Sequence, residues 1–196
     1  MDPGSDAQSS AEGGANSGGD AGSTDAGARL YERAEHLGRL LHERGLVLAT
    51  AESCTAGGVA YAVTQVPGSS AWFDRGMVVY SNASKQRMLG VPAACLRDFG
   101  AVSEPVARAM AIGALQHSAG HAALAVTGIA GPGGGSVEKP VGTVCFGWAL
   151  RRDLQSAPWA VTATCRFDGD RAAVRTQSIV EALDGMIAIL QREEAD

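Results

Sequence analysis

An apolar run gives way to small and polar residues within Ala49-Thr50-Ala51-Glu52-Ser53-Cys54-Thr55-Ala56-Gly57-Gly58. Residues 46–49 have strand character, and residues 59–63 resume with a spacing that fits a helix. We therefore place residues 52–55 at a strand-to-helix junction, the edge at which open α/β sheets bind ligands. The first turn of a helix offers free backbone N–H groups that can hold an anion or an oxyanion. Ser53 or Thr55 is then either a helix cap or a nucleophile.

The first 28 residues predict a disordered tail. They are almost entirely Gly, Ala, Ser, Asp, Asn and Thr, so ordering them would cost entropy that little burial could offset. Residues 29–196 are enough for one domain with a real core. The tail lacks a basic start followed by an apolar segment, so we expect neither a secretory signal nor a membrane span, and we predict a cytoplasmic protein.

Charge and cysteine spacing exclude several classes of function. The net charge is -5 and no basic block occurs, which argues against binding to nucleic acid or to an anionic membrane. The cysteines Cys54, Cys95, Cys145 and Cys165 form no C-x-x-C pair, and His117 and His121 lack the glutamate of a zinc motif. We therefore expect reduced thiols and no metal.

Strand and helix patterns alternate along the rest of the chain. Strands are predicted at 76–80, 122–127, 141–150 and 159–167, and helices at 29–44, 83–89, 92–99, from 103 onward, and at 171–192 with Asp168 or Asp170 as its cap. The last two strands follow each other directly, which favours an antiparallel pair. The predicted fold is a three-layer α/β/α sandwich on a mixed, mostly parallel sheet.

Three strand ends carry the residues capable of chemistry. They are 52–55, then 80–82 with Lys85, and finally Thr127 with the glycine loop 128–136. That loop fits neither the P-loop nor G-x-G-x-x-G, so it is either a surface loop or a cradle for a phosphate or sugar. No histidine lies in these segments. A buried lysine of lowered pKa, with a tyrosine relaying the proton, could instead activate Ser53, although Tyr80 and Lys85 could equally be ordinary surface residues.

Five segments together resemble the CinA carboxy-terminal domain family. They are 51–55, 79–82 with Lys85, 100–104, 126–134 and 139–144, and the likeness covers nearly all of the chain after the tail. The resemblance implies a three-layer sandwich, often oligomeric, that hydrolyses nicotinamide mononucleotide to nicotinic acid mononucleotide and ammonia in pyridine-nucleotide salvage, without a cofactor. Many members carry a further amino-terminal domain. Where members often have Thr-Gly-Gly-Leu, this chain has Thr55-Ala56-Gly57-Gly58, which leaves the packing of the following helix open.

The resemblance also implies roles for single residues. Ser53 would be the nucleophile, Tyr80 and Lys85 its activating partners, and Thr127 a further active-site hydroxyl. Cys54 is a rival nucleophile, which we expect to have a packing role instead because no base is offered to it. The substrate would be bound by Glu52, Thr55, Gly57, Asn82, Gly128, Ala130, Gly131, Gly133 and Gly134. Glu52 would orient either Lys85 or the ribose.

The expected reaction passes through an acyl-enzyme. Ser53 attacks the carboxamide carbon, Lys85 with Tyr80 moves the proton to the departing ammonia, and a helix beginning at Cys54 stabilises the oxyanion. Two other classes stay open. One is a non-catalytic module that binds nucleotides or partners in competence or the DNA damage response. The other is a Ser-Lys amidase that acts on a different amide.

Overall fold

The computed structural model describes the backbone of residues 21–192 and the side chains of residues 27–192. This part of the chain contains five strands and six α-helices. The strands are β1 Leu48–Glu52, β2 Phe73–Val78, β3 Ala122–Gly128, β4 Thr143–Leu150 and β5 Trp159–Arg166. The helices are α1 Ala21–Glu43, α2 Gly58–Thr64, α3 Asn82–Leu89, α4 Ala93–Phe99, α5 Glu104–Gln116 and α6 Arg171–Arg192.

The five strands form one mixed sheet in the order β2-β1-β3-β4-β5. Strand β1 is parallel to both β2 and β3, whereas β3–β4 and β4–β5 are antiparallel pairs. The predicted antiparallel pair at the end of the chain is therefore confirmed. Because β1, β2 and β3 are parallel, their carboxyl ends lie side by side with β1 in the middle, and the three segments predicted to carry chemistry meet at this edge.

Two apolar layers cover the sheet. On one face Leu37 of α1 and Leu183 of α6 pack with the even-numbered strand residues of the sheet, which include Leu124. On the other face Leu89 of α3 and Met110 of α5 pack against the alternate strand residues. Alternation of side chains across the strands divides the core in this way. The predicted three-layer α/β/α sandwich is confirmed.

Several predicted boundaries need correction. Residues 1–20 of the predicted tail lie outside the described residues, and residues 21–28 are the first turns of α1 rather than tail. Once a packed helix has formed its nucleus, each further turn is added without the cost of nucleation, which is consistent with the earlier start. The helix predicted from Cys54 begins at Gly58, and the strand predicted at 76–80 lies at 73–78.

Capping residues mark the ends of several helices, and one of the two caps predicted for the last helix is confirmed. Ser81 is the N-cap of α3 and Gly90 its C-cap, and Gly100 closes α4. Asp170 caps α6, since its carboxylate accepts a hydrogen bond from the N–H of Ala173 at 2.8 Å. None of the described helices combines the length and the apolar character needed to cross a membrane.

Candidate active site

Ser53 is the first residue beyond β1 at the carboxyl edge of the sheet. Its N–H donates to the carbonyl of Val126 on β3 at 2.9 Å, and its own carbonyl accepts from the N–H of Ala56 at 3.1 Å. The residue is 8% exposed. The sheet thus holds the backbone of Ser53 on one side and a tight turn holds it on the other, which fixes the position of its Cβ atom.

Lys85 reaches this serine from the first turns of α3. Its side chain is buried, with 1% of the residue exposed. The Nζ atom lies 3.0 Å from Ser53 Oγ, 2.8 Å from the carbonyl oxygen of Val79 and 3.4 Å from that of Tyr80. No carboxylate forms an ion pair with it in the described part of the chain. Burial lowers the pKa of Lys85, and the interaction with Cys54, which raises this pKa, is the smaller effect.

The partners of Nζ determine where the lone pair of a neutral lysine points. Carbonyl oxygens can only accept hydrogen bonds, so Val79 and Tyr80 take the two N–H groups of the neutral amine. The lone pair that is left faces Ser53 Oγ. This is the arrangement that a general base for Ser53 needs.

Reciprocal capping fixes the start of α3 and with it Lys85. Ser81 Oγ accepts from the N–H of Ser84 at 3.0 Å, and Ser84 Oγ accepts from the N–H of Ser81 at 3.1 Å. The N–H of Lys85 donates to the carbonyl of Ser81 at 3.1 Å. Asn82, predicted to contact substrate, is the exposed first residue of this helix.

Glu52 has a role other than the two predicted for it. The residue is fully buried, and its carboxylate accepts from the N–H groups of Val59 and Ala60 at 3.0 and 2.9 Å and from the hydroxyl of Thr50 at 3.2 Å. It therefore caps α2 from inside the protein instead of orienting Lys85 or a ribose. Because these first-turn N–H groups are occupied, α2 does not offer the anion site that we expected.

The turn at residues 53–57 has an unusual backbone. Ala56 has φ of 52° and Gly57 has φ of 91°, both in the left-handed region. The carbonyl of Thr55 accepts from Arg175 at 2.8 Å, and the hydroxyl of this buried residue has no partner among the described residues. A side chain at Gly58 would place its Cβ 2.6 Å from Cδ1 of Ile179, so the departure from the family pattern allows α6 to pack closely.

Cys54 is buried on the core side of this turn. Burial raises the pKa of its thiol to about 11, so the thiol is neutral at physiological pH. No carbonyl oxygen in the described chain accepts from the N–H of Cys54 or Thr55. These two N–H groups lie near the Cys54 sulfur, which is a weak acceptor and leaves them able to bind a stronger one.

Tyr80 contributes to the site differently from the predicted proton relay. Its carbonyl accepts from Lys85, but its side chain is 60% exposed and its hydroxyl accepts from Arg171 at 3.1 Å. Arg171 also donates to the carbonyl of Gly131 at 2.9 Å. Arg171 thus joins the second strand end to the glycine loop. Arg171 and Arg175, which lie four residues apart on α6, are not among the site residues predicted from the sequence.

Thr127 and part of the glycine loop are buried, whereas the rest of the loop is exposed. Thr127 is buried, and its hydroxyl donates to the carbonyl of Ala101 at 2.8 Å, which ties β3 to the loop before α5. Gly128 packs against Val144, so that a Cβ would lie 2.8 Å from that side chain. Ala130 and Gly131 are buried, whereas Gly133 and Gly134 are exposed. Residues 132–136, which include this pair, are the exposed part of the loop that a ligand can reach.

Metal-ligating side chains do not gather at this edge. Within residues 27–192, no group of three or more His, Cys, Asp or Glu side chains could hold an ion together. The arrangement at Ser53 and Lys85 can activate a hydroxyl as a nucleophile. Its chemistry is that of acyl transfer.

Comparison with known proteins shows close relatives of the whole domain. Residues 30–190 match the CinA C-terminal domain. The chain is 49% identical over 156 residues to the nicotinamide-nucleotide amidohydrolase PncC of Escherichia coli K12, covering 80% of this chain and 92% of that protein. It is 55% identical over 152 residues to a competence-damage inducible protein of Symbiobacterium thermophilum, covering 75% of this chain but 35% of that protein.

A solved structure has the same fold. The competence/damage inducible protein CihA of Agrobacterium tumefaciens superposes with a TM-score of 0.77 at 43% identity, covering 82% of this chain and 95% of that one. The chain therefore spans about a third of the length of the longer relative and more than nine tenths of the shorter ones.

Proposed function

The chain belongs to the CinA C-terminal domain family, and we propose that it hydrolyses nicotinamide mononucleotide to nicotinic acid mononucleotide and ammonia. The observation that carries the proposal is the distance of 3.0 Å between Lys85 Nζ and Ser53 Oγ, with Lys85 buried and without an acidic partner in the described chain. The substrate is that of the PncC relatives, of which the chain covers at least nine tenths.

The first half of the reaction forms an ester. The lone pair of Lys85 accepts the hydroxyl proton of Ser53 as Oγ attacks the carboxamide carbon of the substrate. The lysine that results is cationic, and the carbonyls of Val79 and Tyr80 that already accept from it stabilise this charge. Collapse of the tetrahedral intermediate breaks the C–N bond, and the proton from Lys85 leaves with the amine as ammonia.

The second half releases the acid. Lys85 is neutral again after ammonia has left, and it accepts a proton from water as the water oxygen attacks the ester carbon. Breakage of the C–O bond returns the proton to Ser53 Oγ. The net reaction consumes one water and yields one carboxylic acid and one ammonia, without a cofactor or metal.

The oxyanion is stabilised by the turn rather than by helix α2. Glu52 occupies the N–H groups of Val59 and Ala60, so those groups are not free for substrate. The N–H groups of Cys54 and Thr55 adjoin the nucleophile and lack a carbonyl acceptor in the described chain. Donors of this kind contribute about 3 kcal/mol each to the transition state.

The phosphate of the substrate lies toward the glycine loop. Gly133 and Gly134 are exposed there, and Arg171 supplies positive charge beside the loop. Apart from Glu52, which is buried, we still predict that the other residues named for substrate binding contact the substrate. A cytoplasmic location, the absence of nucleic-acid and membrane partners, and a homo-oligomeric state also belong to this proposal.

Ammonia release from nicotinamide mononucleotide tests the proposal directly. We expect release by the full chain and its loss in Ser53→Ala, while Ser70→Ala, an exposed serine in the turn before β2, releases ammonia at the original rate. Nicotinamide riboside, which lacks the phosphate, should react poorly. Folded protein that releases no ammonia, or a Ser53→Ala variant as active as the original chain, would overturn the proposal.

A further inference from the structure

A cavity of about 320 Å³ opens between helices α1, α2 and α6. We call it the three-helix cavity, and the residues that line it include Leu30, Tyr31, Tyr61, Ala62, Gln65 and Ile179. Those of α2 lie on one face of that helix, because they are spaced by three and four residues. The volume is at the lower end of the range of about 300–1,000 Å³ that is typical of small-molecule sites. Ser53 and Lys85 do not line this cavity, so it is separate from the candidate active site.

Gly58, the first residue of α2, keeps the three-helix cavity open. It lines the cavity, and a Cβ at this position would lie 2.6 Å from Cδ1 and 3.3 Å from Cγ1 of Ile179. A larger side chain would therefore either enter the cavity or push Ile179 into it. The open cavity thus depends on a glycine at which the chain departs from the family pattern.

The lining determines the charge and shape of a suitable ligand. None of the described residues that line the cavity is charged, so a charge buried there would have no partner. Leu30, Ala62 and Ile179 supply apolar surface. Tyr31 and Tyr61 add aromatic rings, and these residues are 38% and 67% exposed. A flat, neutral ring is the shape that matches such walls.

Three polar groups are available at the same cavity. The hydroxyls of Tyr31 and Tyr61 and the side-chain amide of Gln65 form no hydrogen bond with another described residue. Each of these groups can both donate and accept. Apolar walls with a few polar groups of this kind are typical of sites for small organic molecules.

We propose that the three-helix cavity binds a neutral, planar aromatic molecule that carries a hydrogen-bonding group. The ring of the ligand lies against the rings of Tyr31 and Tyr61, where aromatic pairs add favourable energy beyond the burial of their area. Leu30 and Ile179 cover the rest of the ring. The polar group of the ligand bonds to a tyrosine hydroxyl or to Gln65. The residues of this site take no part in the proposed hydrolysis.

The ligand contacts two residues that are connected to the turn carrying Ser53. The N–H of Gly58 donates to the carbonyl of Thr55 at 3.1 Å. Arg175, one helical turn before Ile179 on α6, donates to the same carbonyl at 2.8 Å. A ligand packed against Gly58 and Ile179 therefore restrains both donors, and the turn opens less often when the cavity is occupied.

Isothermal titration calorimetry of the full chain with indole, a neutral planar molecule with one N–H donor, tests the proposal. It needs no substrate, so its result is independent of the proposed reaction. We expect one site with a Kd at or below about 1 mM. Tyr61→Ala removes one aromatic wall at an exposed position, so the variant should stay folded and bind indole about tenfold more weakly. Phe99→Ala removes an exposed aromatic ring outside the cavity and should leave the Kd unchanged.

Filling the cavity provides a second variant. Gly58→Leu should abolish measurable binding of indole, with circular dichroism showing that the protein is folded. Tyr61→Ala alone decides the matter if Gly58→Leu does not fold. A titration that shows no saturation by about 5 mM indole would overturn the proposal. The same conclusion would follow from a Kd that Tyr61→Ala leaves unchanged.

Hydrogen exchange of the full chain with and without indole locates the bound molecule. We expect slower exchange at residues 27–31 and 58–65, which contain the lining residues of α1 and α2, and at the turn 53–57. Exchange in α3, which carries Lys85, should not change. Slower exchange in α3 without any change at residues 27–31 would place the indole at the candidate active site and overturn the proposal.

Discussion

Lys85 Nζ lies 3.0 Å from Ser53 Oγ, although 32 residues separate the two along the chain. Three features bring about this contact: the parallel pairing of β1 with β2, the capped start of α3, and burial of the whole lysine side chain. Burial without an acidic partner in the described chain favours the uncharged form of this amine. The fold thus supplies a base at the serine that follows β1, the middle one of the three parallel strands.

Replacing the base tests its part in the reaction. Lys85→Met removes the amine but keeps an apolar stem, and we expect kcat to fall by about 10²- to 10⁴-fold, the contribution typical of a general base, with little change in KM. Lys139→Met is the matched control, because the Nζ of Lys139 donates to the carbonyl of Phe99 instead. A change confined to KM in Lys85→Met would make Lys85 a substrate contact.

The pH dependence of the reaction follows from the burial of Lys85. Only the neutral amine can accept the Ser53 proton, so kcat/KM should rise with pH through the pKa of Lys85, which burial holds below the ordinary 10.5. The thiol of Cys54, with a pKa of about 11, ionises later. Steady-state rates across pH for the original chain and Cys54→Ala check this. If the inflection in the plot of kcat/KM against pH disappears in Cys54→Ala, the group that titrates is the thiol and not Lys85.

Local patterns predicted more of the fold than of the site. Caps such as Asp170 act within one helical turn, so sequence locates them well. The capping of α2 by Glu52 was missed because its partners Val59 and Ala60 lie seven and eight residues away, beyond any capping motif. Arg171 is 91 residues from Tyr80, and no local pattern reports that contact. The pairing of Ser53 with a lysine was predictable because few other bases occurred at the three strand ends.

The buried carboxylate of Glu52 should contribute measurably to stability. Glu52→Gln keeps the shape but replaces one acceptor oxygen by a donor, which faces an N–H group of α2. Leaving such a buried donor unpaired costs about 1–3 kcal/mol, and kcat should fall as the adjoining Ser53 shifts. Denaturant unfolding and rates measure both effects. Glu35→Gln, at an exposed pair with Arg39, should cost less than about 0.5 kcal/mol. Equal losses in the two variants would contradict the capping role.

Ala56 stores strain that glycine would release. Its φ of 52° is in the left-handed region, where a Cβ costs about 1–2 kcal/mol, whereas glycine adds about 0.5–1 kcal/mol of unfolded-state entropy. Ala56→Gly should therefore stabilise the protein by about 0.5–1 kcal/mol in denaturant unfolding. Ala94→Gly, at an exposed position in α4, should destabilise it by a similar amount. A loss of stability in Ala56→Gly would show that the left-handed turn is not strained.

Removing the hydroxyl of Tyr80 tests whether it relays a proton or positions Arg171. It accepts from Arg171 at 3.1 Å, whereas the contact of Tyr80 with Lys85 is made by its carbonyl, which a change of side chain leaves in place. Tyr80→Phe should therefore keep kcat within about threefold and raise KM, because Arg171 loses an acceptor that holds it beside the glycine loop. Steady-state kinetics with nicotinamide mononucleotide measure the two constants separately. Phe99→Leu, another exposed aromatic position beyond this contact, is the control and should change neither constant. A fall in kcat comparable to that of Lys85→Met would restore the relay, since a relay hydroxyl acts on the proton transfer and not on binding.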